Sequence, residues 1–275
     1  MADYSGTSFF DHFDYYTDHD PTNGAVQYVD EATAVQSKYV GYVQNPNTKS
    51  TNALISVDHT SISAKRQSVR LSSKETFDLG TIMAIDLVHM PSGALGVWPA
   101  IWALGNQTGW PFSGEIDIVE VVHKSSENAM TLHTGPGCTV NPAPDLHQGD
   151  LDDPNCNAGS PQPATKGCSV KANPSRQAVS RGKTLATAGD AFYIQGGGVY
   201  VMAWTQDGIA VYLFDRAAMP WDLYGPAAHP DPSGWLTKPL AKFVPGTCNF
   251  AQAFAKMQII LNIDFCGDWA GDPKV

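Results

Sequence analysis

Residues 113–123 read SGEIDIVEVVH, Ser113 to His123. Glu115, Asp117 and Glu120 stand here among Ile116, Ile118, Val119, Val121 and Val122. Apolar β-branched residues of this kind pack well on a pleated sheet. Acids among them need a partner, yet from Glu75 to His123 the chain has no Lys or Arg. On a helix, turning about 100° per residue, the three acids would point in dispersed directions. On a strand, where side chains alternate, Glu115 and Asp117 share a face. Glu120 lies five residues beyond Glu115, so strict alternation sends it to the opposite face. One β-bulge between Asp117 and Glu120 adds a residue and brings it back. The spacing therefore predicts a bulged strand with three carboxyls on one side.

Such a trio suits the cleavage of a glycosidic bond with retention, which uses two carboxyl groups about 5–5.5 Å apart. One attacks the anomeric carbon; the other protonates the leaving oxygen and then activates water. Crowded carboxyls push their pKa values apart, so one ionises while its neighbour keeps a proton. A third carboxyl between them can hydrogen-bond the nucleophile. Two plainer readings stand beside this one. The acids could form a solvated strand face paired with distant Arg. They could also join His123 or His133 around a metal, but that oxygen-rich set follows no standard loop spacing. No metal and no cofactor is expected.

The rest of the chain is consistent with a sheet protein. Thr81–Met90 and Met257–Phe265 are rich in β-branched and apolar residues. Val199–Trp204 and Ile209–Phe214 flank Asp207-Gly208, a dipeptide that favours positive φ, and read as a β-hairpin. Amphipathic helix patterns are scarce, and Gly and Pro punctuate short strands. This predicts an all-β sandwich or barrel. The 275 residues suffice for one core. Pro136–Asp190 differs: it is long, polar and turn-rich, and carries Cys138, Cys156 and Cys168. A loop of that length is functional or stapled. With Cys248 and Cys266 the count is odd, which leaves at least one thiol without a partner in the chain. There is no Cys-x-x-Cys pair to suggest zinc, and disulfides in a secreted protein fit better.

A net charge of −10 argues against nucleic acid or an anionic membrane as partner. No apolar run approaches the roughly 18 residues of a membrane span. The N-terminus has neither a basic stretch nor a long apolar core, so it is not itself a signal peptide. The cysteines favour an extracellular protein whose leader has been removed.

The Glu-Ile-Asp-Ile-Val-Glu segment resembles the bulged active-site strand of glycoside hydrolase family 16. Other segments, in order, resemble the fungal laminarinase branch of that family: NGAVQYVDEATA at 23–34, SVRLSSK at 68–74, WPAIW at 98–102, GWP at 109–111, NAMTLHTG at 128–135 and FCGDWAG at 265–271. The resemblance implies a β-jelly-roll sandwich of the concanavalin A-like kind with a concave glycan-binding cleft. It implies Glu115 as nucleophile, Glu120 as general acid/base and Asp117 as assisting carboxylate. The reaction implied is endo-hydrolysis of β-1,3 or mixed β-1,3/1,4-glucans, with a β-glucan polysaccharide or oligosaccharide as sole partner of a monomer.

The surrounding residues then acquire candidate roles. Trp102 and Trp110 precede the acidic strand and either stack on sugar faces or pack in the core. Trp98 reads as core packing. His133 either hydrogen-bonds Asp117 or the sugar, or is a satisfied core histidine. Arg70 binds a sugar hydroxyl or serves a surface ion pair. Trp269 borders the cleft, and His123 is structural. The likeness ends early: relatives continue beyond Trp269 with a further cysteine and a final strand, so residues 1–275 read as a single catalytic domain lacking its C-terminal strand. Two other functions share the motif, a cell-wall glucan transglycosylase and a non-catalytic glycan-binding protein.

Overall fold

The nine-residue strands Val97–Gly105 and Met257–Phe265 pair antiparallel along their whole length. Around this pair a sheet of eight strands is built, in the order Phe13–Tyr15, Arg70–Ser73, Met257–Phe265, Val97–Gly105, Glu115–Glu120, Ala129–His133, Cys168–Lys171 and Asp150–Leu151. A second sheet has five strands, in the order Val140–Asn141, Ala241–Pro245, Gly208–Phe214, Gly198–Thr205 and Ile82–Leu87. The computed structural model describes residues 2–45, 49–91, 94–159, 166–173, 178–180, 182–224 and 229–275. Parts of the long polar stretch, 160–165, 174–177 and 181, lie outside the described residues.

The two sheets face each other across one core. Leu71, Ile101, Ala103, Ile116, Ile118, Val119, Met130, Leu132 and Val170 come from the large sheet. Tyr200, Met202, Trp204, Ile209, Val211, Leu213 and Phe243 meet them from the small one. Each aliphatic side chain so buried contributes about 1.5–3 kcal/mol. The hairpin carries a second apolar layer on its outer face. There Val199, Val201, Ala210, Tyr212 and Phe214 are covered by Met219, Leu223 and Trp235. Burial on both faces explains why VYVMAW and IAVYLF are continuous apolar runs rather than alternating ones.

The hairpin turns one residue earlier than the sequence suggests. Thr205 pairs with Gly208, so the loop is Gln206-Asp207. Gly208 opens the second strand at φ 124°, and a Cβ there would lie 2.1 Å from the Phe243 carbonyl oxygen. The glycine serves a close backbone approach more than the turn itself.

The cysteines form two staples and leave one thiol. Cys138 is bonded to Cys248 and Cys156 to Cys168, while Cys266 is free and exposed. Cys168 is the register partner of Leu132. The second disulfide thus ties the long loop to the strand that ends at His133.

Candidate active site

The ladder slips at one place along the acidic strand. Against the preceding strand, Ala100 pairs with Glu120 and Ile101 with Val119, but Trp102 pairs with Asp117. Against the following strand, Ala129 pairs with Glu120 and Thr131 with Asp117, so Ile118 and Val119 together oppose Met130. The bulge sends both Ile118 and Val119 into the core, at 0% and 1% exposure. Glu115, Asp117 and Glu120 consequently occupy the outer face, away from the core. That face also bears Trp98 and Trp102, Arg70, Asn262 and His133, all on neighbouring strands of the same sheet.

His133 pairs with Glu115 in the register. Its Nε2 lies 3.2 Å from Asp117 Oδ2 and 3.6 Å from Glu115 Oε1. Burial would depress the imidazole pKa, but Glu115, Asp117 and Glu120 outweigh it and push it up to about 9. A histidinium therefore stands against the Glu115–Asp117 end of the trio at neutral pH. Burial, then the charge of Asp117, pushes Glu115 up to about 7, with His133 and Trp110 opposing. Burial and Asp117 also hold Glu120 well above the ordinary carboxylate range; its direct donor is the Trp98 indole, whose Nε1 gives a hydrogen bond of 2.8 Å to Glu120 Oε1. The cation at one end favours an ionised Glu115, and the more isolated Glu120 is suited to hold a proton. Glu115, Asp117 and His133 also bring possible ligand atoms within 4.8 Å of one another, an approach that the imidazolium–carboxylate pairing accounts for.

Trp98, expected in the core, is instead a direct partner of Glu120. Trp269 meets Trp98 edge-on, with ring centroids 5.7 Å apart. Trp102 is part-buried on the same outer face and donates to Asn262 Oδ1 at 2.8 Å; Asn262 in turn donates to the Tyr28 hydroxyl. Arg70 is buried, not in a surface ion pair. Its guanidinium lies over the rings of Tyr16, at 4.6 Å, and Trp102, at 4.9 Å. Trp110 follows Gly109, precedes a cis bond to Pro111, is 54% exposed, and sits with its ring centroid 6.2 Å from that of His133. The geometry thus gathers the three acids with His133, and it sets Arg70 against Trp102 and Trp269 against Trp98. His123 is structural: its Nδ1 accepts the Gly96 N–H at 2.8 Å.

A carboxyl pair borders the Trp98 end. Asp264 is the register partner of Trp98 and is 2% exposed. Burial, then the neighbouring Asp20, pushes it up to about 7. The Thr22 hydroxyl lies within hydrogen-bond distance of both carboxyls, 2.7 Å from Asp20 Oδ2 and 2.9 Å from Asp264 Oδ2. A Cβ on Gly24 would fall 2.0 Å from Asp264 Oδ1, so only glycine fits beside this pair.

A jelly-roll sandwich with three crowded carboxyls on one outer face suits one class, that of the glycoside hydrolase catalytic domains. Residues 13–275 match the family model described as an XgeA-like, catalytic GH16 domain. The chain belongs to glycoside hydrolase family 16. It is 37% identical over 272 residues to a probable glycosidase of Schizosaccharomyces pombe, covering 98% of this chain and 59% of the relative. It is 36% identical to the endo-1,3(4)-β-glucanase xgeA of Emericella nidulans, covering 98% of this chain and 39% of the relative. The chain thus spans only part of the curated relatives it matches. Among solved structures it is similar to laminarinase 16A from Phanerochaete chrysosporium, which was determined with 6-O-glucosyl-laminaritriose in donor and acceptor sites. That match has 34% identity and a TM-score of 0.80, and covers 98% of this chain and 85% of the other. An elongating family 16 β-1,3-glucosyltransferase is equally similar in fold, at 35% identity and a TM-score of 0.80, covering 97% and 82%.

Proposed function

We propose that this chain is the single catalytic domain of an endo-β-1,3(4)-glucanase that acts outside the cell and retains anomeric configuration. The observation that carries the reading is the bulged strand, which turns Glu115, Asp117 and Glu120 to one face with histidinium at one end and the Trp98 donor at the other. Glu115 attacks the anomeric carbon. The glycosidic oxygen takes the proton of Glu120 and leaves. Water then returns a proton to Glu120 and attacks the same carbon, which releases Glu115. Asp117 holds the histidinium against the nucleophile between steps. Trp102, Trp110, Trp269 and Arg70 line the glucan path. The glucanase name of the Emericella relative and the laminari-oligosaccharide bound by the Phanerochaete enzyme support a β-1,3-linked substrate. Two disulfides support an oxidising compartment, and no described helix is long and apolar enough to cross a membrane.

Transfer to a sugar hydroxyl is the second reading, favoured by the equal likeness to a glucosyltransferase. It uses the same acids and differs only in the acceptor. Reducing-end release from laminarin and lichenan, with anomer-resolved NMR of the first product, tests the main reading. An α-anomer formed first overturns retention. Products longer than the substrate, in place of new reducing ends, assign the chain to transfer.

A further inference from the structure

We propose that Asn128 is the positioning residue of this site, an amide clamp that fixes the bulge and thereby the place of Glu120. A bulge breaks the strand ladder locally and leaves backbone groups without strand partners. Here the side chain of Asn128 takes two of them. Its Nδ2 donates to the Ile118 carbonyl at 2.9 Å, and the Glu120 N–H donates to its Oδ1 at 2.8 Å. The two bonded groups bracket Val119, so one planar amide spans the turn of the backbone that sends Val119 inward and Glu120 outward.

The clamp is itself anchored. Asn128 is 0% exposed. Its N–H donates to Thr187 Oγ1 at 3.2 Å, and its carbonyl accepts from Ala172 N at 2.9 Å. It immediately precedes Ala129, the register partner of Glu120. The side-chain chemistry is restrictive. A carboxylate offers two acceptors and would face the Ile118 carbonyl with like polarity; a hydroxyl is too short to reach both groups; an aliphatic chain leaves both unmatched. None of these hydrogen bonds of Asn128 goes to a carboxyl of the trio, so its effect passes through the backbone. Glu120 is thus held twice, by Asn128 through its N–H and by Trp98 through its carboxyl.

This inference rests on the reading of Glu120 as acid/base, and the test separates the two. Asn128→Ala and Asn128→Asp are compared with the unaltered chain on laminarin and on a dinitrophenyl β-laminarioligosaccharide, whose leaving group needs little protonation. The clamp predicts a loss of about tenfold or more in kcat on laminarin, a clearly smaller loss on the activated substrate, and little change in KM. Asn128→Asp adds a pH signature. Its protonated carboxyl can still donate to Ile118 and accept from Glu120, so activity persists at low pH and declines as that carboxyl ionises. Equal losses on both substrates, or a folded Asn128→Ala with unchanged kcat on laminarin, overturn the proposal. If Asn128→Ala does not fold, the pH signature of Asn128→Asp decides: its presence supports the clamp and its absence overturns it. If the unaltered chain cleaves neither substrate, the functional reading fails on its own. The crystal structure of Asn128→Asp at high pH then decides the clamp, since an unchanged register at Ala100–Glu120 and Trp102–Asp117 overturns it.

Discussion

Trp98 and Glu120 face each other across adjacent strands, and the indole N–H of one donates to Oε1 of the other at 2.8 Å. An N–H donor stabilises the carboxylate more than the acid, so this bond restrains a pKa that burial drives upward. In Trp98→Phe the restraint is gone. The alkaline limb of kcat/KM is expected to move to higher pH, with kcat lowered about tenfold by the freed carboxyl. An alkaline limb that stays in place or moves down would show that the indole does not govern Glu120.

The two glutamates separate by substrate. Glu115→Gln removes the nucleophile and keeps the shape, so turnover should vanish on every substrate while glucan binding persists, as read by calorimetry. Glu120→Gln should lower kcat on natural glucan by about 10²–10⁴-fold and spare substrates with good leaving groups. Normal product formation by the first variant, or equal losses for the second, would reverse or remove the assignments.

His133 sets the acid limb. A raised carboxyl pKa means that Glu115 is protonated below about 7 in the free protein, and ionised Glu115 is lost as pH falls through that value. The histidinium opposes the shift, so His133→Gln should move the acid limb to still higher pH. The pair titrates as a unit, and the profile reports macroscopic values. A limb displaced to lower pH would falsify the proposed role of the cation.

Asp264 makes a prediction about stability. Its folded pKa, about 7, lies above its ordinary value of 3.8. Between those values the folded chain binds more protons than the unfolded one, so this group's contribution falls as pH rises from about 4 to 7. Asp264→Asn keeps the shape without the charge. Its melting temperature should decline less over that interval than that of the unaltered chain. Parallel curves would mean that the Asp20–Asp264 pair carries no proton.

Much of this architecture is legible in local spacing. The five-residue step from Glu115 to Glu120 is incompatible with a regular strand that keeps both acids outside, and a bulge falls between them. Met257–Phe265 reads as a buried strand from its apolar residues and forms a strand with those bounds. What escapes a local reading depends on distant partners. Trp98 is indistinguishable from a core tryptophan until the strand that carries Glu120 lies beside it. Arg70 carries no signal that Tyr16 and Trp102 will enclose its guanidinium. Asn128 bonds backbone atoms, whose need for a partner follows from the register rather than from any residue type. Asp20 and Asp264 are coupled across almost the whole chain.

The surplus residue at Ile118–Val119 makes strand length an element of the chemistry. No substitution on the strand can send Glu120 to the other side of the sheet, because alternation is a property of the backbone. An insertion can. One further residue between Asp117 and Glu120 would leave all three acids in the sequence yet, with the single bulge kept, turn the acid/base inward. Removing Val119 would instead shorten the step to four residues and keep Glu120 outward on a regular ladder. The reactive geometry is therefore robust to many point changes and fragile to a single added codon.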